Sequence, residues 1–251
     1  MKIVVIGGTG RIGSQVVNKL RAVGCEAIPA APETGVDTLT GKGLPEALAG
    51  ADVVVDVSNS PSFEDVAVLN FFRTSTGNLL AAGAAAGVKH HVVLSVVGTD
   101  RMSESGYMRA KVVQETLIRG SSIPFSIVHA TQFFEFAKGI ADSATDHSTV
   151  RVPNAFIQPI AAEEVAAAVA KVAVGSPVNG IVEVGGPEAM RMEEFVRRDL
   201  QARGDAREVV ADRDARYFGA KLEERTLLPG EGAILGVIHF DEWLAGGVIR
   251  R

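Results

Sequence analysis

The chain has 251 residues with a single cysteine, and 47% of its residues are hydrophobic and 22% are charged. This length and apolar fraction exclude a disordered chain and predict one large domain, or one domain with a small additional region. The lone Cys25 excludes a disulfide scaffold and a cysteine-based zinc site, and a formal net charge of −5 disfavours nucleic acid as a partner.

The sequence also bears on location and on metals. No apolar run reaches the roughly 18–20 residues of a membrane span, and the first apolar run enters a glycine turn too early for a secretory leader. We therefore expect a cytoplasmic protein that does not contact a membrane. The five histidines show no His-x-x-x-His spacing, and the acids near them form no ligand set, so no metal site is expected.

The first half of the chain alternates between two periodicities. Residues 2–7 are a continuous apolar run that ends in glycine, as expected for a strand buried on both faces. Residues 11–23 then place apolar side chains at helical spacing until Gly24. The alternation continues with strands predicted at 25–30, 52–57, 91–97 and 125–130, and helices at about 64–86 and 106–119. Short connections predict parallel pairing and thus a doubly wound, Rossmann-type α/β sheet.

Beyond about residue 131 the pattern changes. A helix is predicted over 163–174 and a short strand over 180–184, while 132–144 can be helical. Nine basic and nine acidic side chains alternate over residues 191–225, which predicts a solvated helical region and not a charged binding tail. Residues 216–251 are predicted to be irregular. We expect a single unit over 1–251, made of a core over 1–130 and a small mixed α+β region over 131–251.

The strongest motif lies where the first strand turns into the first helix. Gly7 allows a tight turn, Gly10 lets the backbone approach a pyrophosphate, and Gly13 lets the helix pack on the strand. The helix N-terminus offers unpaired N–H groups and a positive dipole end to phosphate. The loop therefore predicts dinucleotide binding by the core, although a glycine turn without a ligand is the alternative. The predicted binding residues are Gly7, Thr9, Gly10, Arg11, Ile12 and Gly13.

The identity of the nucleotide depends on the end of the second strand. NAD sites usually place an acid there, about 20 residues after the glycine loop, to bind the ribose 2′-hydroxyl. Residues 28–32 contain no acid, and Glu33 follows a proline. Arg11 lies within the loop, from where a guanidinium can reach a 2′-phosphate. The sequence therefore favours NADP(H) over NAD(H), although no arginine stands at the strand end itself.

A second group of residues suggests proton chemistry. Ser95 lies near the carboxyl end of a central strand, where ligands of open α/β sheets bind. Tyr107 and Lys111 are four residues apart on one helix and therefore share a face. A nearby ammonium lowers the pKa of a phenol from about 10, so Tyr107 can protonate a carbonyl oxygen while Ser95 donates a hydrogen bond to it. The alternative is that Tyr-x-x-x-Lys is an accident of an amphipathic helix.

The glycine loop, the Ser95 strand end and residues 107–111 together resemble the short-chain dehydrogenase/reductase superfamily, and more narrowly its atypical NmrA-like, NAD(P)H-binding branch. The resemblance covers about residues 1–190. It implies that Lys111 also binds the nicotinamide ribose and that Ser58 and Asn59 lie along the cofactor. The family's catalytic asparagine has only Asn70 as a weak candidate. The segment that would line the substrate pocket comprises Thr131, Gln132, Phe133 and Phe134, whose aromatic residues could equally be core.

These observations lead to one main hypothesis and two alternatives. The main hypothesis is an NADPH-dependent reductase of a small carbonyl or quinone, with Tyr107 as the proton donor and residues 131–251 on the substrate side. The first alternative is a regulatory protein that senses NAD(P)(H) without turnover, since the NmrA-like branch includes such proteins. The second is an epimerase or isomerase that uses bound NAD⁺ transiently. The helices over 64–86 and 106–119 could also pair in a homodimer.

Overall fold

The structure, a computed structural model, describes residues 1–246, so the last five residues of the segment predicted to be irregular lie outside the described residues. Its strands in chain order are β1 (Lys2–Ile6), β2 (Glu26–Ala30), β3 (Val53–Asp56), β4 (His90–Val96), β5 (Phe125–Ala130), β6 (Thr145–Asp146), β7 (Thr149–Val152), β8 (Phe156–Ile157), β9 (Gly180–Gly185), β10 (Met190–Arg191), β11 (Glu208–Ala211) and β12 (Ile234–Leu235).

Eight α-helices are present in this part of the chain. They are α1 (Arg11–Ala22), α2 (Leu44–Leu48), α3 (Asp65–Ala86), α4 (Gly106–Arg119), α5 (Ala137–Ser143), α6 (Ala162–Val174), α7 (Met192–Ala202) and α8 (Phe240–Ala245). No helix within residues 1–246 is both long enough and apolar enough to cross a membrane.

The main sheet has seven strands in the order β2-β1-β3-β4-β5-β9-β12. The strands are parallel, and Ile3 of β1 pairs with Ala27 on one side and Val53 on the other. The predicted doubly wound α/β sheet is therefore confirmed. The strand order reverses at β1, and ligands of such sheets bind outside the carboxyl ends of the strands at this point.

Two compact units make up the chain, and they are interleaved in sequence. Unit 1 contains residues 1–95, 106–129 and 165–182, and unit 2 contains 96–105, 130–164 and the described residues from 183 onward. The chain passes from one unit to the other at several points. Only one of them, between residues 129 and 130, coincides with the change of sequence pattern near residue 131.

Unit 1 is built around the continuous apolar strands that the sequence predicts. Ile3, Val4 and Val5 of β1 are fully buried, as expected for a strand covered on both faces. Gly24, with a φ of +82°, ends the segment of α1, and Gly87 adopts a left-handed conformation as the C-cap of α3. One core cluster of this unit draws on strands β1 to β5 and on helices α2, α3 and α4.

Unit 2 differs from its sequence-based prediction in two places. The helical prediction for residues 191–225 holds for α7 but is wrong after it, because residues 208–211 form β11 and pair in parallel with β7. The prediction of an irregular C-terminal segment is also wrong for β12 and α8. Both differences arise from contacts with distant parts of the sequence: Phe240 of α8 is fully buried and packs against Phe134 and Phe195.

Candidate active site

Backbone packing closes the glycine loop between β1 and α1. Gly7 has a φ of +72°, a conformation that favours glycine. A Cβ atom on Gly13 would lie 2.1 Å from the carbonyl oxygen of Gly7, and one on Gly8 would lie 2.6 Å from Pro29 Cα. The tight turn and the close approach of α1 to β1 therefore both depend on the absence of side chains.

The N-terminus of α1 opens at this loop. Gly10 is its N-cap residue and supplies no side-chain hydrogen bond to the first turn. Within the described chain, the backbone N–H groups of Arg11, Ile12 and Gly13 are therefore available to an external acceptor. Gly10 and Arg11 are exposed, so a ligand can reach these groups. This arrangement fits the pyrophosphate of a dinucleotide.

The loop that follows β3 lies beside the glycine loop. A Cβ atom on Gly7 would be 3.0 Å from both the backbone nitrogen and the Cα of Ser58. Ser58 is held in place because its backbone N–H and its hydroxyl both donate to Asp56 Oδ1, at 3.0 and 2.6 Å. The carboxyl ends of β1 and β3 therefore bring Gly7 and Ser58 together, and the next residue, Asn59, continues along the same edge.

An acidic residue to which the sequence analysis assigns no role also contacts the glycine loop. Glu33 lies in a single 3₁₀ turn, residues 32–34, directly after β2, and its carboxylate accepts a hydrogen bond from the Thr9 hydroxyl. This hydrogen bond lowers the pKa of Glu33. The proline before Glu33 makes this residue look unsuitable in the sequence, but Pro32 begins a turn that folds Glu33 back towards the loop.

Tyr107 lies in the first turn of α4, half-buried between two aromatic rings. Its ring centroid is 5.5 Å from that of Phe63 and 6.0 Å from that of Phe72. Its hydroxyl donates a hydrogen bond to Asn59 Oδ1 at 3.2 Å. Burial raises the pKa of Tyr107 to about 12. The expectation that Lys111 lowers this pKa is therefore wrong for this structure.

The reason lies in the position of the Lys111 ammonium. Lys111 is 2% exposed. Its Nζ donates to the carbonyl oxygen of Leu94 at 2.9 Å and to Gln114 Oε1, and it lies 4.5 Å from the centroid of the Phe72 ring. Burial lowers the pKa of Lys111 to about 8, with partial compensation from Asp56 and Glu115. The hydrogen bonds of the ammonium thus tie α4 to β4.

Ser95 belongs to a separate buried group. Its hydroxyl donates to Glu115 Oε1 at 2.6 Å, and the same oxygen lies 2.9 Å from His129 Nε2. Burial acts to raise the pKa of Glu115, but His129, Ser95 and Lys111 outweigh it, so this pKa lies below its ordinary value. Glu115 is therefore ionised at neutral pH and holds the Ser95 hydroxyl as a donor.

The predicted pocket residues lie in unit 2. Thr131 and Gln132 are 1% and 6% exposed. The hydroxyl of Thr131 and both ends of the Gln132 amide have no hydrogen-bond partner among residues 1–246. Phe133 is half-buried, whereas Phe134 is fully buried with its centroid 5.3 Å from that of Trp243. The polar atoms of Thr131 and Gln132 are thus buried without a hydrogen-bond partner in the described part of the chain, and the Phe134 ring belongs to the core.

Comparison with known proteins identifies the family of this chain. A family model described as NAD(P)H-binding matches residues 7–174, which include the glycine loop, Ser95, Tyr107 and Lys111. The chain belongs to this NAD(P)H-binding family. The resemblance to the atypical short-chain dehydrogenases/reductases is confirmed, and the matches support an oxidoreductase.

Relatives of this NAD(P)H-binding protein include enzymes. It is 29% identical over 76% of its length to a (4-alkanoyl-5-oxo-2,5-dihydrofuran-3-yl)methyl phosphate reductase of Streptomyces griseus, of which the match covers 70%. An NADPH-dependent quinone oxidoreductase of Escherichia coli shares its fold with a TM-score of 0.69 at 16% identity, over 97% of this chain and 98% of that one. A UDP-glucose 4-epimerase of Thermus thermophilus in complex with NAD has a TM-score of 0.69 at 19% identity, over 91% and 92% of the two chains.

The three predicted catalytic residues of this atypical short-chain dehydrogenase/reductase have different hydrogen-bond partners. Lys111 and Ser95 donate their hydrogen bonds within the interior of unit 1, whereas Tyr107 is bonded to the exposed Asn59. The sequence predicts Asn59 along the cofactor but gives no sign of its contact with Tyr107. The weak candidate for a catalytic asparagine, Asn70, is exposed on α3.

Proposed function

We propose that the protein is an NADPH-dependent reductase of a small carbonyl or quinone, in which Tyr107 is the proton donor. The observation that carries this proposal is the position of the Tyr107 hydroxyl. It contacts Asn59, the residue next to Ser58, and Ser58 packs against Gly7 of the nucleotide loop. A phenolic donor therefore lies on the same sheet edge as the loop that fits a dinucleotide.

The high pKa of Tyr107 is compatible with this role. A bound reduced nicotinamide would supply hydride to the substrate carbon. Tyr107, with a pKa of about 12, stays protonated at neutral pH and is ready to donate to the substrate oxygen. An alkoxide is about as basic as hydroxide and is a much stronger base than a phenolate, so the proton transfer from Tyr107 is downhill.

The same comparison distinguishes carbonyl substrates from quinones. The anion produced by hydride addition to a quinone is a phenolate, whose conjugate acid has an ordinary pKa of about 10. This anion is a weaker base than an alkoxide, so it depends less on the proton of Tyr107. We therefore propose that Tyr107 contributes more to the reduction of aldehydes and ketones than to the reduction of quinones.

The surroundings of Tyr107 support an apolar substrate. Phe63 covers one side of the Tyr107 ring and is itself 60% exposed, and Phe72 covers another side and is fully buried. An exposed aromatic ring next to the proton donor can pack against a flat or apolar substrate and keep water away from the phenol.

Two charged groups bear on the choice of nucleotide. We propose that Arg11, the exposed first residue of α1, makes the site prefer NADP(H) by contacting the 2′-phosphate. Glu33 limits this preference, because its carboxylate is held at the glycine loop by Thr9. The site prefers NADP(H) if Arg11 lies nearer the ribose than Glu33, and NAD(H) if Glu33 lies nearer.

An NAD(P)(H)-binding protein without turnover is the second candidate. The observation that favours it is that both Lys111 and Ser95 use their hydrogen bonds within the interior. Such a protein would bind the nucleotide at the glycine loop and would not depend on Tyr107.

The experiment compares two tyrosine variants, because the chain has only two tyrosines. Oxidation of NADPH and NADH is followed with panels of aldehydes, ketones and quinones for the wild type, Tyr107→Phe and the matched control Tyr217→Phe. We expect Tyr107→Phe to lower kcat for carbonyls by about 10²- to 10⁴-fold with unchanged nucleotide affinity, and Tyr217→Phe to leave kcat within threefold. Tight nucleotide binding with no turnover of any substrate would support the second candidate instead.

A further inference from the structure

The Ser95 hydroxyl has only one hydrogen, and it is already in use. That hydrogen is donated to Glu115 Oε1 at 2.6 Å. Both residues are buried, since Ser95 is 3% exposed and Glu115 is 8% exposed. A substrate carbonyl oxygen has no hydrogen and needs a donor. Ser95 can therefore serve such an oxygen only by leaving a buried carboxylate with one hydrogen bond fewer, which is costly.

A different donor lies beside Tyr107. Asn59 Oδ1 accepts the Tyr107 hydroxyl at 3.2 Å and the backbone N–H of Ser60 at 3.0 Å. These two contacts fix which end of the amide is the acceptor. The Nδ2 group of the same amide donates to no group within residues 1–246, and the Asn59 side chain is exposed. An oriented and unused N–H donor therefore stands next to the phenol.

We propose that Asn59, and not Ser95, is the second hydrogen-bond donor to the substrate carbonyl oxygen, next to Tyr107. This inference rests on the proposed reductase function. A reduced nicotinamide bound at the glycine loop would supply hydride with its electron pair to the carbonyl carbon, and the π pair of the carbonyl would move onto oxygen. Asn59 Nδ2 stabilises that negative charge and keeps its own protons. The Tyr107 proton moves to the oxygen, and the resulting phenolate regains a proton from solvent.

This assignment also gives Oδ1 of Asn59 a function. While no substrate is bound, it holds the Tyr107 hydrogen in a fixed direction. A carbonyl oxygen that enters between the phenol and the amide accepts hydrogen bonds from both, and Oδ1 retains the N–H of Ser60. The site is thus preorganised, which is the arrangement that stabilises a developing oxyanion most effectively.

Kinetics of three variants test the proposal. Asn59→Asp has the same shape without the N–H donor, Ser95→Ala removes the alternative donor, and Asn18→Asp is a control on the exposed face of α1. With an aldehyde or ketone that the wild type reduces, we expect Asn59→Asp to lower kcat by about 10²- to 10³-fold with KM within threefold. Ser95→Ala should lower kcat less than tenfold, and Asn18→Asp should not change it. A larger kcat loss in Ser95→Ala than in Asn59→Asp would overturn the assignment while leaving the reductase function intact.

A second measurement does not depend on turnover. In a Tyr217→Phe background, Tyr107 is the only tyrosine, so 3-fluorotyrosine incorporation gives one ¹⁹F signal whose chemical shift follows ionisation of the phenol. A carboxylate against this hydroxyl should raise the titration midpoint by about one pH unit or more in Asn59→Asp, with no change in Asn18→Asp. An unchanged midpoint in Asn59→Asp would show that the two side chains are not paired and would overturn the inference. A wild type that reduces nothing would overturn the function and the role of Asn59 together, even with the midpoint shifted.

Discussion

Gln114 Nε2 donates a hydrogen bond to Asp56 Oδ2 at 3.0 Å in the interior of unit 1. Gln114 is completely buried, and its other amide atom accepts a hydrogen bond from Lys111. One neutral amide therefore connects a buried carboxylate on β3 with a buried ammonium on α4. It fixes the ammonium in its bond to the Leu94 carbonyl and makes Lys111 a link between α4 and β4.

We first predict that this amide is needed for stability. Gln114→Leu has a similar volume but leaves both Asp56 and Lys111 without the hydrogen bond, and unsatisfied buried groups of this kind cost about 1–3 kcal/mol each. The free energy of unfolding, measured by urea denaturation, should fall by about 2–6 kcal/mol. The same change at Gln201, which is exposed on α7, should stay within about 0.5 kcal/mol. Equal unfolding midpoints for Gln114→Leu and the wild type would contradict the prediction.

A second prediction concerns the pH dependence of stability. The pKa of Lys111 is lowered from 10.5 to about 8 in the folded protein. Between these pH values the unfolded chain binds more protons than the folded one, so stability rises as the pH rises. Below pH 8 the full cost of burying the charged ammonium remains, about 3 kcal/mol. This destabilising cost disappears as the pH rises above 8 and the ammonium loses its proton.

Urea denaturation of the wild type and of Lys111→Met from pH 7 to pH 11 measures this effect. The stability of the wild type relative to the variant should increase by about 3 kcal/mol over this range. Lys171→Met changes an exposed lysine on α6 and should give a curve parallel to that of the wild type. Parallel curves for Lys111→Met and the wild type would show that the ammonium is not buried in solution.

The sequence predicts the architecture of unit 1 well because local patterns determine it. A strand buried on both faces requires a continuous apolar run, and β1 has one that is completely buried at Ile3, Val4 and Val5. Gly87 ends α3 where the sequence indicates. The glycine loop is equally local, since the turn at Gly7 and the packing at Gly13 involve residues six apart.

The site itself could be predicted only in part, because its side-chain contacts join distant segments. Asn59 and Tyr107 are 48 residues apart, and the Glu33 contact with Thr9 spans 24 residues. Shared helical spacing places Tyr107 and Lys111 on one face, but it does not determine which neighbour each side chain contacts. The Lys111 ammonium donates instead to Gln114, three residues further along the helix. The same limitation explains the missed strand β11, whose partner β7 lies more than fifty residues earlier.

The last prediction concerns the nucleotide. If Arg11 contacts the 2′-phosphate, Arg11→Ala should weaken binding of NADPH about three- to tenfold more than binding of NADH, because only NADPH carries that charge. Dissociation constants are measured for both nucleotides by the fluorescence of the bound reduced nicotinamide. An equal loss for the two nucleotides would contradict a contact with the 2′-phosphate.

Glu33 should act in the opposite direction. The hydrogen bond from Thr9 lowers the pKa of Glu33, so at neutral pH the side chain is a carboxylate. This carboxylate repels a 2′-phosphate but can accept a hydrogen bond from a ribose 2′-hydroxyl. Glu33→Gln should therefore strengthen NADPH binding and weaken NADH binding, each by about threefold or more, and added salt should reduce the gain for NADPH. Glu26→Gln, at an exposed position on β2, removes the same charge away from the loop and should change neither. If both glutamate variants behave alike, net charge and not the contact with Thr9 determines the preference.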